Sequence, residues 1–164
     1  MATRSTPAAG RAAGRSAEGA LFTELVLEIF RVNGLLIAAG NEMSAEAGLT
    51  SARWQVLGAV ALAGEPLTVA QIARAMGLTR QGVQRVVDEL EGAGLVRRIE
   101  HAEHRKARPV MLTDAGNAAY AAVSRRQEPW ANRTSAGVGP KRLETAVEVL
   151  RELRERLELE TRAG

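Results

Sequence analysis

The side chains with the most directional hydrogen-bonding chemistry fall in two short stretches of a 164-residue chain. Thr79, Arg80, Gln81, Gln84 and Arg85 lie in T-R-Q-G-V-Q-R, and His104, Arg105, Lys106 and Arg108 in E-H-A-E-H-R-K-A-R. An arginine fork matches O6 and N7 of guanine, and a glutamine carboxamide matches N6 and N7 of adenine. A helix start and a cationic loop both suit phosphate oxygens. The chemistry on offer is therefore recognition of duplex nucleic acid. Catalytic constellations are lacking: the sequence has no glycine-rich phosphate loop, no nucleophile motif and no carboxylate pair in a plausible cleft. The only two histidines, His101 and His104, are three residues apart and in principle share a metal. With Glu103 as the nearest acid on the same loop, they read instead as facing solvent or phosphate. No enzymatic activity, metal or cofactor is expected.

The flanking residues dictate how these side chains are held. Thr68 and Gln71 have the spacing of a capping box. Val69, Ile72, Ala73 and Met76 then follow at i, i+3, i+4, i+7, the period of a helix with one buried face. Gly77 suits the left-handed position after a helix, Leu78 plugs the turn, and Thr79 caps the next helix. That helix, about 79–92, buries Val83, Val86, Val87 and Leu90 with the same spacing. At 100° per residue its opposite face carries Gln81, Gln84, Arg85 and Asp88, while Gly82 removes a side chain from the first turn. Gly92 and Gly94 close it. Leu95, Val96 and Ile99 read as a strand, with Pro109 to Leu112 as its return and the basic loop, about 100–108, between them. Polar residues on an outer helix face are ordinary alone. A tight glycine turn between two capped helices, followed by a basic hairpin, is a winged helix-turn-helix.

These residues resemble the MarR family of bacterial transcriptional regulators. The resemblance covers roughly Leu21 to Leu157 and is sharpest from Leu49 to Gly116. It is carried by L-T-S-A-R-W-Q-V-L, then L-T-V-A-Q-I-A-R-A-M-G-L-T-R-Q-G-V-Q-R-V-V-D-E-L, then G-L-V-R-R, and finally V-M-L-T-D-A-G. It implies a winged lobe carried on dimerisation helices, with Arg105 matching the arginine that the family's wing directs to the minor groove. His104 stands where the family usually has an aspartate, so the usual acidic support of Arg105 is absent, and Glu103 is the candidate substitute. The resemblance also implies an effector pocket where the dimer helices meet the lobe, near Asn33, Arg53 and Trp54, for a small aromatic or phenolic compound.

The rest of the chain fits that plan. Aromatic residues are only 3%, so Leu, Val, Ile and Ala must fill the core, and the net charge is only +3. Seven cations against five carboxylates between Thr79 and Leu112 make a local basic lean. With no cysteine there is no disulfide, thiolate zinc site or thiol redox sensor. Residues 1–19, with Arg4, Arg11 and Arg15, lack a hydrophobic run and are expected to form a disordered basic arm. No stretch is apolar for membrane-spanning length, so no membrane contact and a cytoplasmic location are expected. Residues 20–48 are read as a dimerisation helix, Leu21 to about Ala39, with a stripe of Phe22, Val26, Ile29, Asn33 and Leu36 and a break from Gly40 to Gly48. Asn33 on that stripe reads first as an interface or core hydrogen bonder. Another helix begins at Leu49-Thr50-Ser51 and stops at Gly64-Glu65-Pro66, and Trp54 within it reads first as a core aromatic. Residues 49–113 form the winged lobe.

Residues 114–160 supply the C-terminal dimerisation helices. Thr113 caps the first, Pro129 kinks or ends it, and Asn132 to Gly139 is turn-rich. Gly139-Pro140 opens the last helix, where Leu143, Ala146, Leu150, Leu153 and Leu157 make a coiled-coil-like seam. The expected fold is mainly α, a winged helix-turn-helix lobe with a small β-hairpin. The expected function is a homodimeric repressor on a pseudo-palindromic site in double-stranded DNA. A helical interaction module without DNA binding is the alternative supported by the leucine seam.

Overall fold

A computed structural model describes residues 14–100 and 108–163. Most of the N-terminal arm, and the loop positions His101, Glu103, His104, Arg105 and Lys106, lie outside the described residues. The order is α1 (Ala17–Ala45), α2 (Ser51–Ala63), α3 (Val69–Met76), α4 (Arg80–Gly92), β1 (Val96–Arg98), β2 (Val110–Leu112), α5 (Asp114–Ser135) and α6 (Pro140–Ala163).

The helix-turn-helix forms for the local reasons its sequence contains. Thr68 and Gln71 make the reciprocal capping box, with Thr68 N–H donating to Gln71 Oε1 at 2.8 Å. Gly77 takes the left-handed position at φ 63°. Thr79 Oγ1 accepts from Gly82 N–H at 3.0 Å and starts α4. Ile72 and Ala73 of α3 and Val83, Val86, Val87 and Leu90 of α4 are buried together with Val56, Leu57 and Val60 of α2. Burying a side chain of this size contributes about 1.5–3 kcal/mol, so α4 has one strongly preferred orientation about its axis. The two strands pair antiparallel with Val96 opposite Leu112 and Arg98 opposite Val110. Leu67, just before α3, exchanges two further backbone hydrogen bonds with Val110, at 3.0 and 2.8 Å.

Three boundaries differ from the sequence expectation. Helix α1 begins at Ala17, capped by Ser16, inside the segment read as an arm. It also runs through Gly40 to Ala45. Gly40 is a packing residue, because a Cβ there would lie 2.6 Å from Ser51 Oγ. Its absence lets α1 meet the start of α2, where Asn41 Oδ1 accepts from Ser51 N–H at 2.7 Å. Helix α5 continues through Pro129 to Ser135. Proline removes one amide donor, and the turns on either side are long enough to keep the helix.

The joint between the lobe and α5 is equally close. Thr113 N–H donates to Leu95 O at 3.1 Å. Its hydroxyl donates to Gly94 O at 2.7 Å and accepts from Gly116 N–H at 3.0 Å. A Cβ on Gly116 would overlap the Leu95 carbonyl, a backbone atom with no freedom to retreat. Gly116→Ala is therefore expected to destabilise the protein by about 1–3 kcal/mol despite the better helix propensity of alanine. Chemical denaturation of the two proteins side by side measures this, and an unchanged midpoint contradicts it.

Candidate nucleic-acid interface

Helix α4 presents the expected residues outward. Arg80, Gln81, Gln84 and Arg85 are all exposed, as is Thr79 at the tip. The side chain of Arg85 is 79% accessible and its Nε stands 4.0 Å from Glu89. Gly82 serves its own helix, since a Cβ there would sit 3.0 Å from Thr79 Oγ1, the atom that caps α4. Arg80 also borders a groove of about 780 Å³ walled by Phe22, Val26 and Ile29 of α1, by α3, and by Leu150, Leu153 and Leu157 of α6. Of the basic-loop residues, Arg108 is described and is exposed at the foot of β2.

The C-terminal half of α4 carries three carboxylates, and each is held by an arginine from α2, α4 or β1. Arg98 reaches Asp88 at 2.6 Å and also bonds Glu91. Arg53 donates from Nε to Glu89 at 3.1 Å. Negative charge that would repel phosphates is thereby partnered, while the polar groups from Thr79 to Arg85 stay exposed. The hydrogen bond from Arg98, with a further one from Gln84, holds the Asp88 carboxyl below its ordinary value of 3.8. Sequence reasoning counted Arg98 in a general basic lean and missed this role. Asp88 and Glu91, three apart on one helix face, were a usable signal, but only the hairpin register aims Arg98 at them.

Of the residues suggested as an effector site, Asn33 lines a groove that neither Arg53 nor Trp54 borders. Arg53 is engaged with Glu89, and Trp54 packs half-buried against the lobe core. Asn33 is exposed and lines a different groove of about 840 Å³, between α1 and α6, with Leu25, Ile29, Leu36, Ala146 and Leu150. Large apolar side chains stay open to solvent on both helices, among them Phe22 (39%), Ile29 (38%), Phe30 (68%), Leu143 (41%), Leu150 (43%) and Leu157 (51%). No described helix is long and apolar enough to cross a membrane.

A winged helix-turn-helix with a capped, outward-facing second helix defines a DNA-binding class of protein, and comparison makes it specific. The MarR family model matches residues 47–107. An uncharacterized protein of Mycobacterium tuberculosis, Rv2011c, is 37% identical over 129 residues, spanning 79% of this chain and 89% of that protein. A MarR family regulator from Silicibacter pomeroyi superposes with a TM-score of 0.73 at 26% identity, covering 85% of this chain and 93% of that one. CouR from Rhodococcus jostii, solved with p-coumaroyl-CoA, has a TM-score of 0.72 at 23% identity, covering 81% and 93%. The chain belongs to the MarR family and has the fold of its transcriptional regulators, which are DNA-binding and not enzymes.

Because the folded-state value of Asp88 is depressed, its contribution to stability is present at neutral pH. That contribution is lost as pH falls through the lowered value. Carboxyl NMR titration should find Asp88 titrating below 3.8, and Arg98→Gln should move it back up. An Asp88 that titrates normally in the unaltered protein contradicts the observed contact.

Proposed function

We propose that the protein is a homodimeric repressor that binds a pseudo-palindromic operator. The observation that carries this reading is the exposed edge of Gln81, Gln84 and Arg85 on a helix whose other face is buried. A two-fold dimer sets two copies of α4 into successive major grooves about 34–36 Å apart. The support for a dimer is the open apolar surface of α1 and α6, which burial against a second copy would remove from water. Within one chain the seam of Leu150, Leu153 and Leu157, continuing Leu143 and Ala146, faces Phe22, Val26 and Ile29 only across a groove. From the sequence, Arg105, with His104, Lys106 and Arg108, reaches the flanking minor groove.

We also propose that a small aromatic or phenolic anion weakens operator binding. The support is chemical: Arg53 is shared with Glu89 of α4, so an anion that reaches Arg53 beside Trp54 competes for it and acts directly on the reading helix. Asn33, on the separate α1–α6 groove, is at most a second contact. Two solved proteins of the same fold hold p-coumaroyl-CoA and 2,4-dichlorophenol.

Selection of bound fragments from random DNA tests binding, half-site symmetry and spacing together. If about six to eight phosphates are neutralised per dimer, affinity falls by about three to four decades between 50 and 200 mM salt. A flat salt response removes the proposal, and favours a helical interaction module. Arg85→Ala is expected to cost about 1–3 kcal/mol and relax base preference, whereas Arg105→Ala weakens binding to most sequences alike. Sedimentation at micromolar concentration should give a dimer. If no phenolic or aromatic acid shifts operator affinity, the effector proposal alone is lost.

A further inference from the structure

The outer edge of α4 is a coupled chain of side chains and not a row of independent ones. Gln84 Nε2 donates to Asp88 Oδ1 at 2.8 Å, and that same oxygen accepts from Arg98 Nη2 at 2.6 Å. Arg98 is fixed in turn. Its other terminal nitrogen bonds Glu91, and its backbone N–H donates to Glu91 Oε1 at 3.3 Å. Its side chain is only 16% accessible, although it starts from β1 on the neighbouring element.

An ionised carboxylate only accepts hydrogen bonds. Gln84 must therefore turn its NH2 toward Asp88, because a flipped carboxamide would set two acceptor oxygens at hydrogen-bond distance. We propose that Arg98 and Asp88 are positioning residues that lock the carboxamide of Gln84 and so make it select adenine over guanine. This deepens the reading of α4 as the groove helix and rests on it.

The selectivity follows from counting donors. Adenine offers an acceptor, N7, and a donor, N6–H2; guanine offers two acceptors, N7 and O6. A free carboxamide can meet guanine by donating both of its N–H groups. With one N–H held by Asp88, that option is gone. One N–H and the carbonyl oxygen remain, which is the pair that adenine requires. An aspartate is ionised at neutral pH, and the hydrogen bond from Arg98 lowers the Asp88 value further, so the acceptor that holds Gln84 is present there. Ordering the side chain before contact also removes rotamer entropy that would otherwise be lost on binding.

The test compares the full-length protein with Gln84→Ala, Asp88→Ala, Arg98→Lys and the Gln84→Ala/Asp88→Ala double variant. Each is checked for an unchanged melting profile. Fragments are selected from random DNA, and anisotropy is then measured on operator duplexes with each A·T pair changed to G·C. Gln84→Ala identifies the position read. The unaltered protein should prefer adenine there by about tenfold or more. Asp88→Ala should reduce that preference to within about threefold, leave the other positions alone and add nothing in the double variant. Arg98→Lys should give an intermediate loss. Removing the carboxylate charge raises affinity for every sequence equally, so the base preference is the readout that a purely structural role would not move. An Asp88→Ala protein that keeps the adenine preference, or loses preference evenly at all positions, overturns the positioning role. So does a Gln84→Ala protein with an unchanged profile. If the unaltered protein selects no sequence, the groove-helix reading falls and takes this inference with it.

Discussion

The burial of Val83, Val86, Val87 and Leu90 is the constraint on which the rest depends. All four are at most 6% exposed, and they lie on one side of a 13-residue helix. Rotating α4 by one residue would expose two of these branched side chains and bury glutamine or arginine. Each exchange costs kilocalories, from lost apolar burial on one side and unsatisfied polar groups on the other. The outward direction of Gln81, Gln84 and Arg85 is thus a consequence of core packing. Core packing sets the direction of this surface, and the contacts of Gln84 with Asp88 and of Arg85 with Glu89 then order it.

Electrostatics is arranged around that surface. A helix carrying Asp88, Glu89 and Glu91 is a poor partner for phosphate unless the acids are matched. Arg98 and Arg53 match them from two different neighbours, β1 and α2. These pairs are half-exposed, and such pairs contribute little to stability, about 0–1 kcal/mol each. Their value lies in what they order. They join the recognition helix to the hairpin on one side and to the second helix on the other, so a displacement of either is felt by α4. The long helices add a second level of organisation. Their apolar side chains face one another across grooves and stay open to solvent instead of closing a core.

The glycines illustrate how a residue type can be informative while its role stays hidden. Gly77 is the turn residue its position suggested, because a left-handed conformation is a local property. Gly40 reads as a breaker but sits inside a continuous helix, where the missing Cβ admits Ser51. Gly82 removes a side chain from the first turn, and its empty position leaves room for the cap of its own helix. A proline behaves similarly: Pro129 marks a weak point in α5, and the helix on both sides outlasts it.

Amino-acid order alone determined the helix-turn-helix, its caps, the buried and exposed faces of α4 and the presence of a hairpin after it. Each is a short-range matter, settled by side-chain period, capping geometry and turn chemistry within about ten residues. It also placed the leucine seam of α6. The partners of the charges were decided only in three dimensions. Arg98 meets Asp88 across ten residues and Arg53 meets Glu89 across thirty-six, and Asn33 lines a groove that Trp54 does not border. Such pairings depend on strand register and helix crossing, which are set by how the whole core closes and leave no period in the chain to be read.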